Sequence, residues 1–591
     1  MSFHPNEVAR RARAVRAILT LVIVGLGLAF FRVQVLRSSQ YALQADGNRM
    51  REVPLVAPRG IIYDRNGEII AENLPGYTVS LLSPTADSLA SALDALSKLV
   101  PIDERHRSLV MRRYERARNQ PAVIFNDAPF EIVSALEEHR VQFPELIIQN
   151  SPKRYYPDGE AVAAGMGYIG EISELELTLP KFEGYKPGQL IGKAGLERQY
   201  EAQLHGREGS RFVEVDARGR VVRDQGVRPD IQPEAPAPIT STLDLELQRF
   251  IHERYKDSLL GAVVAIDPKT GGVLALYSGP TYDINRFTGS MPPSYFNQLN
   301  TDPRKPLYNK ATQGAYPPAS TWKLATAIMA MEMGIADIDT YMERPCTGGY
   351  MFGNRFFRCW KHEGHGNVNM RQAIATSCDT YFYQLGLKIG LSNLVAGGIR
   401  MGFGSRSGID YPQETMPRFP SADITRYYNE KYGARNWTNA VTLNLSIGQG
   451  ENSQTAINMA RFYTALATDG TAPRPHLIQQ DVPRERLFSI RPEQLAALRE
   501  AMADVVSSRG TAGSAAVQGI TIAGKTGTAQ NAGPDHAWFV GFAPYEDPKI
   551  VVAVFVEFGL HGYTAARIAT KVMEQYLKTT LVNASATTNA Q

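Results

Sequence analysis

Cysteine is nearly absent from this chain: three of 591 residues, Cys346, Cys359 and Cys378, all inside one short window. Three thiols cannot all pair, so no disulfide framework holds the molecule together. An excess of either charge is also missing. The 63 Lys and Arg stand against 59 Asp and Glu, a net +4, which at this length marks no nucleic-acid surface. No internal repeat is present, and only one apolar run is long enough to concern a membrane. What remains is globular in composition, 43% apolar and 21% charged, with room for two to four domains.

The one long apolar run lies at the amino terminus. Arg10, Arg11, Arg13 and Arg16 face a single Glu7, and Ala17 to Phe31 follows without a charge. The segment RVQVL carries the run to Leu36, with Arg32 able to snorkel. No small-x-small cleavage site follows; Arg32, Gln34 and Arg37 do instead. The expectation is an uncleaved single-pass anchor over 17–36, with the basic tail 1–16 in the cytoplasm and everything past about residue 37 outside it.

Beyond the anchor, VPLVAPRGIIYDRNGEIIAENLPGYTVSL (53–81) reads as strand–turn–strand. Helical stretches mix with polar connections over 83–150, and 192–222 reads as a helix followed by a hairpin with an ARGR turn. The Pro-rich connector RPDIQPEAPAP (228–238) is the best domain boundary. After it, GAVVAIDPKTGGVLALYSG (261–279) suggests two strands around a turn. A helical centre runs from about 317 to 465. Three strand-like runs and a closing helix, TAARIATKVMEQYL, end the chain. Strands at both ends with helices between imply one sheet built from the two ends of an α/β (α+β) domain. The expected division is 37–235, then 236–580, then a small polar tail over 581–591 expected to be disordered.

The chemistry begins at Ser320 and Lys323, in GAYPPASTWKLATAIMA. Three residues apart on a helix places both side chains on one face. A serine hydroxyl needs a base, and a lysine serves when burial and nearby positive charge lower its pKa. Alone the pair says little, since about two Ser-x-x-Lys matches arise by chance in such a chain. Two further elements stand in order along the chain. SCD, Ser377 to Asp379, lies 57 residues after Ser320, and KTGT, Lys525 to Thr528, lies 148 residues after Ser377. S-x-x-K, S-D-N and K-T-G together form an acyl-transfer signature, with Asp379 here in the place of Asn.

On these motifs, and on APRGIIYDRNG, GKAGLERQYE, VVAIDPKTGGVLAL, SIGQG (446–450) and KTGTAQ, the chain resembles the class B penicillin-binding proteins, over nearly its whole length. Asp379 and KTGT point to their elongation branch. The resemblance implies a penicillin-binding transpeptidase domain on an elongated α+β pedestal of the dimerisation type. It implies a D,D-transpeptidase that cross-links peptidoglycan stem peptides in cell-wall elongation and is acylated by β-lactams. Ser320 is then the nucleophile and Lys323 its base, with Ser377 and Lys525 relaying the proton to the leaving amine. Asp379 holds the substrate amide or fixes Lys323. Thr526 and Thr528 take the terminal carboxylate, and the N–H groups of Ser320 and Thr528 form the oxyanion hole. Gly524 and Gly527 let a peptide pair closely with the strand edge. The location implied is the bacterial inner membrane, catalytic part periplasmic, with a SEDS-family glycosyltransferase and other elongation-complex proteins as partners.

Other readings share parts of this pattern. A D,D-carboxypeptidase differs only in using water as acceptor, and a purely regulatory partner of the glycosyltransferase would need the pedestal alone. A β-lactamase would need a base for deacylation, and no helix-borne glutamate between the motifs announces one. No cofactor is expected for catalysis. The spacing Cys346-x12-Cys359-x5-His365-x12-Cys378 suits a closed tetrahedral zinc site of structural type; a Cys346–Cys359 disulfide and three plain buried thiols are the alternatives. His362 competes with His365 as ligand. His536 is expected to be a packed strand histidine, and Trp360 and Trp538 core or rim residues.

Overall fold

The structure, a computed structural model, describes residues 5–38, 50–118, 120–216, 221–223, 228–289, 291–434 and 436–588. The amino-terminal apolar run forms a helix, Pro5–Phe31, continued by a wider turn over Arg32–Leu36. Within Ala9–Leu36 an 18-residue window has a mean hydropathy of 2.3, and none of that window is buried against protein. Its 28 residues reach about 40 Å at ~1.5 Å per residue, more than a bilayer core. Among the described residues this is the one helix long and apolar enough to cross a membrane.

The pedestal is built on strands from the stretches read as such. Ile69–Leu81 pairs antiparallel with both Leu146–Tyr155 and Ala122–Phe125, and Met50–Leu55 pairs with Gly209–Val215. The helices Ala86–Leu96 and Glu104–Arg116 are capped by Thr85 and Asp103 and close a small core around Val79, Leu81, Leu93 and Val110. The APRG and GKAGLERQYE stretches meet in a buried ionic cluster. Arg59 bonds Glu197 at 2.5 Å and Glu201 at 2.6 Å, and Arg154 and Tyr156 also reach Glu197. Every charge there has a partner, the condition under which buried charges are tolerated. The ARGR turn, 217–220, lies outside the described residues, although the strands flanking it pair.

The Pro-rich connector is not a free spacer. Its Ile231 and Glu234 bridge to Ser210 and Arg207, and Ile239–Thr240 runs parallel to Ile62–Tyr63. The pedestal is therefore stitched to the catalytic half of the chain. Tyr200 donates to Asp410 at 2.6 Å and Tyr411 donates to Ala164 O at 2.8 Å across the same junction.

The second half is organised on one five-stranded sheet, in the order Val273–Gly279, Gly261–Ile266, Ile550–Val556, His536–Ala543, Ala523–Ala529. The two ends of the domain do build it, and every pairing is antiparallel. Its central strands are buried at every residue, so their sequences read as continuous apolar runs rather than alternating ones. The helix Ala456–Ala467, buried along its whole length, packs on the sheet, as does Gly562–Thr588 through Ala565, Ala566, Ala569 and Val572. That closing helix continues through Thr588, and the last residues of the tail expected over 581–591 lie outside the described residues. A second element escaped sequence reading. Inside the helical centre stands an antiparallel hairpin, Gly349–Phe352 with Arg355–Arg358.

Candidate active site

Ser320 sits in a short 3-10 turn, Ala319–Trp322, that runs into the helix Lys323–Glu332, buried from Lys323 to Met331. The turn is held in an unusual shape. Ala319 has φ +49°, a conformation costing about 1–3 kcal/mol in a non-glycine residue, and its N–H donates to Gly448 O at 2.9 Å. Gly448 is required there, because a Cβ would lie 2.6 Å from Trp322 Cβ. The SIGQG stretch is thus the shelf on which the serine turn rests. Ser446 faces inward and bonds Leu443 O, whereas Gln449 points to the cleft and donates to Thr528 O at 3.5 Å.

The first two motifs meet at the Lys323 ammonium, which is fully buried. It donates to Asp379 Oδ1 at 2.8 Å, to Ser377 O at 2.8 Å and to Ser377 Oγ at 3.3 Å. Of the two tasks expected for Asp379, fixing Lys323 is the one its geometry performs. Its other oxygen, Oδ2, accepts the Trp360 N–H at 3.0 Å. Ser377 lies at φ +57°, pinned by Cys378 N–H on Ala373 O at 2.9 Å. Lys525 is also fully buried and donates to Thr526 O at 3.2 Å. Burial, and after it the charge of Lys323, holds Lys525 well below the ordinary lysine range, with Asp379 pulling the other way.

The KTGT strand, Ala523–Ala529, is the outermost strand of the sheet, so its free side can take an extended peptide. Its glycines also have a reason in the packing. A Cβ on Gly527 would meet Pro318 O at 2.9 Å and Thr321 Cγ2 at 3.2 Å, and one on Gly524 would enter the Phe539 ring. Internal packing by itself demands them. Alternation along the strand puts Lys525 and Gly527 on the face toward the serine turn, and Thr526 and Thr528 on the opposite one. There Thr526 Oγ1 lies 2.6 Å from Thr511 Oγ1, and Thr528 Oγ1 accepts the Gly562 N–H at 3.4 Å at the start of the closing helix. A helix amino terminus favours an anion, so both hydroxyls stand where a carboxylate is welcome. Thr511 and Gly562 were invisible to motif reading because neither lies within a motif.

Cys346, Cys359, His365 and Cys378 come together with all four donor atoms within 4.8 Å of one another. His365 Nδ1 lies 3.6 Å from Cys346 Sγ and 3.5 Å from Cys359 Sγ. Bonds of about 2.0–2.3 Å in a tetrahedral zinc site require donor separations of roughly 3.5–3.8 Å, so the donor set fits that ion in both chemistry and spacing. The three cysteines are buried free thiols. His362 is exposed and outside the cluster. Cys378 faces this cluster while Ser377 and Asp379, its neighbours, face Lys323, as the alternation of the SCD turn requires. His536 is a packed strand histidine whose Nδ1 accepts the Phe558 N–H. Trp538 is buried core, and Trp360 is 56% exposed at the rim.

A half-buried serine one turn ahead of a buried lysine, a second serine on that lysine and a free sheet edge define a serine acyl-transfer enzyme. Residues 261–578 match the family model for the penicillin-binding protein transpeptidase domain, and residues 54–234 that for the penicillin-binding protein dimerisation domain. The peptidoglycan D,D-transpeptidase MrdA of Acinetobacter baumannii is 33% identical, over 96% of this chain and 88% of that protein. Among solved structures, penicillin-binding protein 2 of Helicobacter pylori, in complex with MreC, superposes with a TM-score of 0.78 at 27% identity, covering 90% of this chain and 99% of the other. A peptidoglycan synthase complex described as coordinating polymerization and crosslinking gives a TM-score of 0.67 at 29% identity, over 95% and 97% of the chains. The chain belongs to the penicillin-binding protein family.

Proposed function

We propose that this protein is a peptidoglycan D,D-transpeptidase of cell-wall elongation, working through a Ser320 acyl-enzyme. The observation that carries this reading is the convergence of Ser377, Asp379 and the Ser320 helix on the single Lys323 ammonium. Lys323, acting in its neutral amine form, takes the Ser320 Oγ proton as that oxygen attacks the carbonyl between the two terminal D-alanines of a stem peptide. The oxyanion is held by the N–H groups of Ser320 and Thr528, with each donor worth ~3–4 kcal/mol. Collapse breaks the C–N bond, and the departing D-alanine amine receives a proton through Ser377 and Lys525. A stem-peptide amine then attacks the ester, loses its proton along the same path and restores the Ser320 hydroxyl. Lys525, kept low by burial, is suited to carrying that proton only in passing. Thr526 and Thr528 anchor the substrate carboxylate.

The same reading places the basic tail in the cytoplasm and the catalytic domain in the periplasm of a bacterial inner membrane, as the arginine-rich flank of the apolar helix favours. It makes a SEDS-family glycosyltransferase and other elongation-complex proteins the partners. Support comes from the MreC and synthase complexes formed by its structural neighbours. Cys346, Cys359, His365 and Cys378 would hold a structural Zn2+ that braces the SCD turn from behind. The pedestal and the full-length likeness to a transpeptidase favour an amine acceptor over water.

Intact-mass spectrometry of the full chain in detergent, with and without a penicillin, tests this. A persistent covalent adduct is expected, absent in Ser320→Ala. No adduct on folded protein would overturn the enzyme reading. A chelator-removable excess of ~65 Da in the native spectrum is expected for zinc, and a ~2 Da deficit would mean a disulfide instead.

A further inference from the structure

The hairpin 349–358 is braced on one face and bare on the other. Pairing puts Tyr350 opposite Phe357 and Met351 opposite Phe356. Phe357 is buried against Tyr383 and Leu443, with Tyr350 and Phe352 beside it. The opposite face carries Met351, 52% exposed, and Phe356, 48% exposed, with Arg358 in the same row. Phe356 lies across Gly349, where a Cβ would sit 2.5 Å from its Cζ. Apolar surface displayed by residues whose backs are so firmly held marks a contact face more than loose packing.

This face continues into the catalytic cleft. Tyr383 donates to Arg358 O at 3.0 Å. Two residues on, Trp360 donates its main-chain N–H to Asp379 Oδ2 and its indole N–H to Thr376 O, each at 3.0 Å. Both ends of the hairpin are tied, Cys346 N–H to Gly366 O at 2.8 Å and Cys359 N–H to Gly348 O at 2.9 Å. The charge on it is cationic. Arg358 and Lys361 are exposed, and no described carboxylate forms an ion pair with them, while Arg355 lies over the Phe357 ring on the other face. Glu363 is the one acid in 349–364.

A transpeptidase must admit two peptides. The edge strand 523–529 offers its free side to the donor, which leaves the wall beyond Ser377 and Asp379 for the other. The geometry points to the outer face of hairpin 349–358, with Trp360, as the wall that receives the acceptor stem peptide, through apolar contact and through Arg358 on its carboxylates. The assignment rests on the transpeptidase reading above. The occupant is identified by continuity with the cleft and by charge: a stem peptide ends in carboxylates, and this wall holds cations without a described carboxylate partner.

The test uses full-length protein and separates acylation from transfer. Arg358→Glu and the double variant Met351→Ser with Phe356→Ser are compared with wild type for penicillin acylation rate, and for the ratio of cross-linked to hydrolysed product at limiting acceptor. Acylation does not involve the acceptor and is expected within about twofold of wild type, which also certifies the fold. The cross-linking ratio is expected to fall about tenfold, the scale of a lost charge-assisted contact. An acceptor with amidated carboxylates is expected to weaken wild type equally and to leave Arg358→Glu unaffected. An unchanged ratio with normal acylation overturns the assignment and spares the transpeptidase reading. So does a loss seen only in the presence of the membrane glycosyltransferase, which would seat a protein on this face. Wild type that is never acylated removes both.

Discussion

Asp379 holds two donors at once, and its replacement by the Asn of the usual S-D-N pattern should therefore be costly here. Oδ1 accepts from Lys323 at 2.8 Å and Oδ2 from the Trp360 N–H at 3.0 Å. A carboxylate serves both; an amide has one acceptor and turns an NH2 toward the other donor. One buried donor left unpaired costs about 1–3 kcal/mol. Asp379→Ala is harsher. It strands the fully buried Lys323 charge, a loss of about 3–5 kcal/mol. At ~1.36 kcal/mol per tenfold, penicillin acylation should slow about five- to 150-fold in Asp379→Asn, and about 150- to several-thousand-fold in Asp379→Ala. Stopped-flow acylation with a fluorescent penicillin measures both. The acid limb of the rate profile should move to lower pH in Asp379→Asn, because Asp379 raises Lys525 against its other depressing influences. Equal rates for the two variants, or an acid limb moved upward, would refute the reasoning.

Two other outcomes are expected at the same site. Lys525 titrates lower in the folded than in the unfolded chain, so between its depressed value and the ordinary lysine range the unfolded chain carries one proton more. Stability should then rise with pH across that window; melting curves of Lys525→Met should show a flatter slope, and an unchanged slope would exclude Lys525 as its source. Gly527→Ala drives a methyl to 2.9 Å from Pro318 O beneath the serine turn. A loss of about 1–3 kcal/mol in stability, with acylation slowed at least about tenfold, is expected from melting and adduct formation. Wild-type acylation in that variant would mean the strand and turn separate freely.

The residues proposed as nucleophile, base and relay serine, and the four cluster donors, were all legible in the chain, because each depends on side-chain type and on order along it. The sheet assembled from the two ends of the domain was legible too: strands buried on both faces must be apolar at every position. What the chain did not show is why the glycines of KTGT and of SIGQG stand where they do. The neighbours that require them, Pro318, Phe539 and Trp322, are distant in sequence.

What the sequence determined by itself, then, is the inventory of reactive groups and the periodicity of the elements that bear them, both properties of a few adjacent residues. Tertiary structure alone decided the pairings. It set Lys323 on Asp379 rather than free in the cleft, turned Ala319 and Ser377 into the left-handed region, brought Thr511 and Gly562 beside the KTGT threonines, and left one face of the 349–358 hairpin uncovered. Those outcomes depend on which segments pack together across tens to hundreds of residues, and no local pattern of charge or hydropathy encodes that choice.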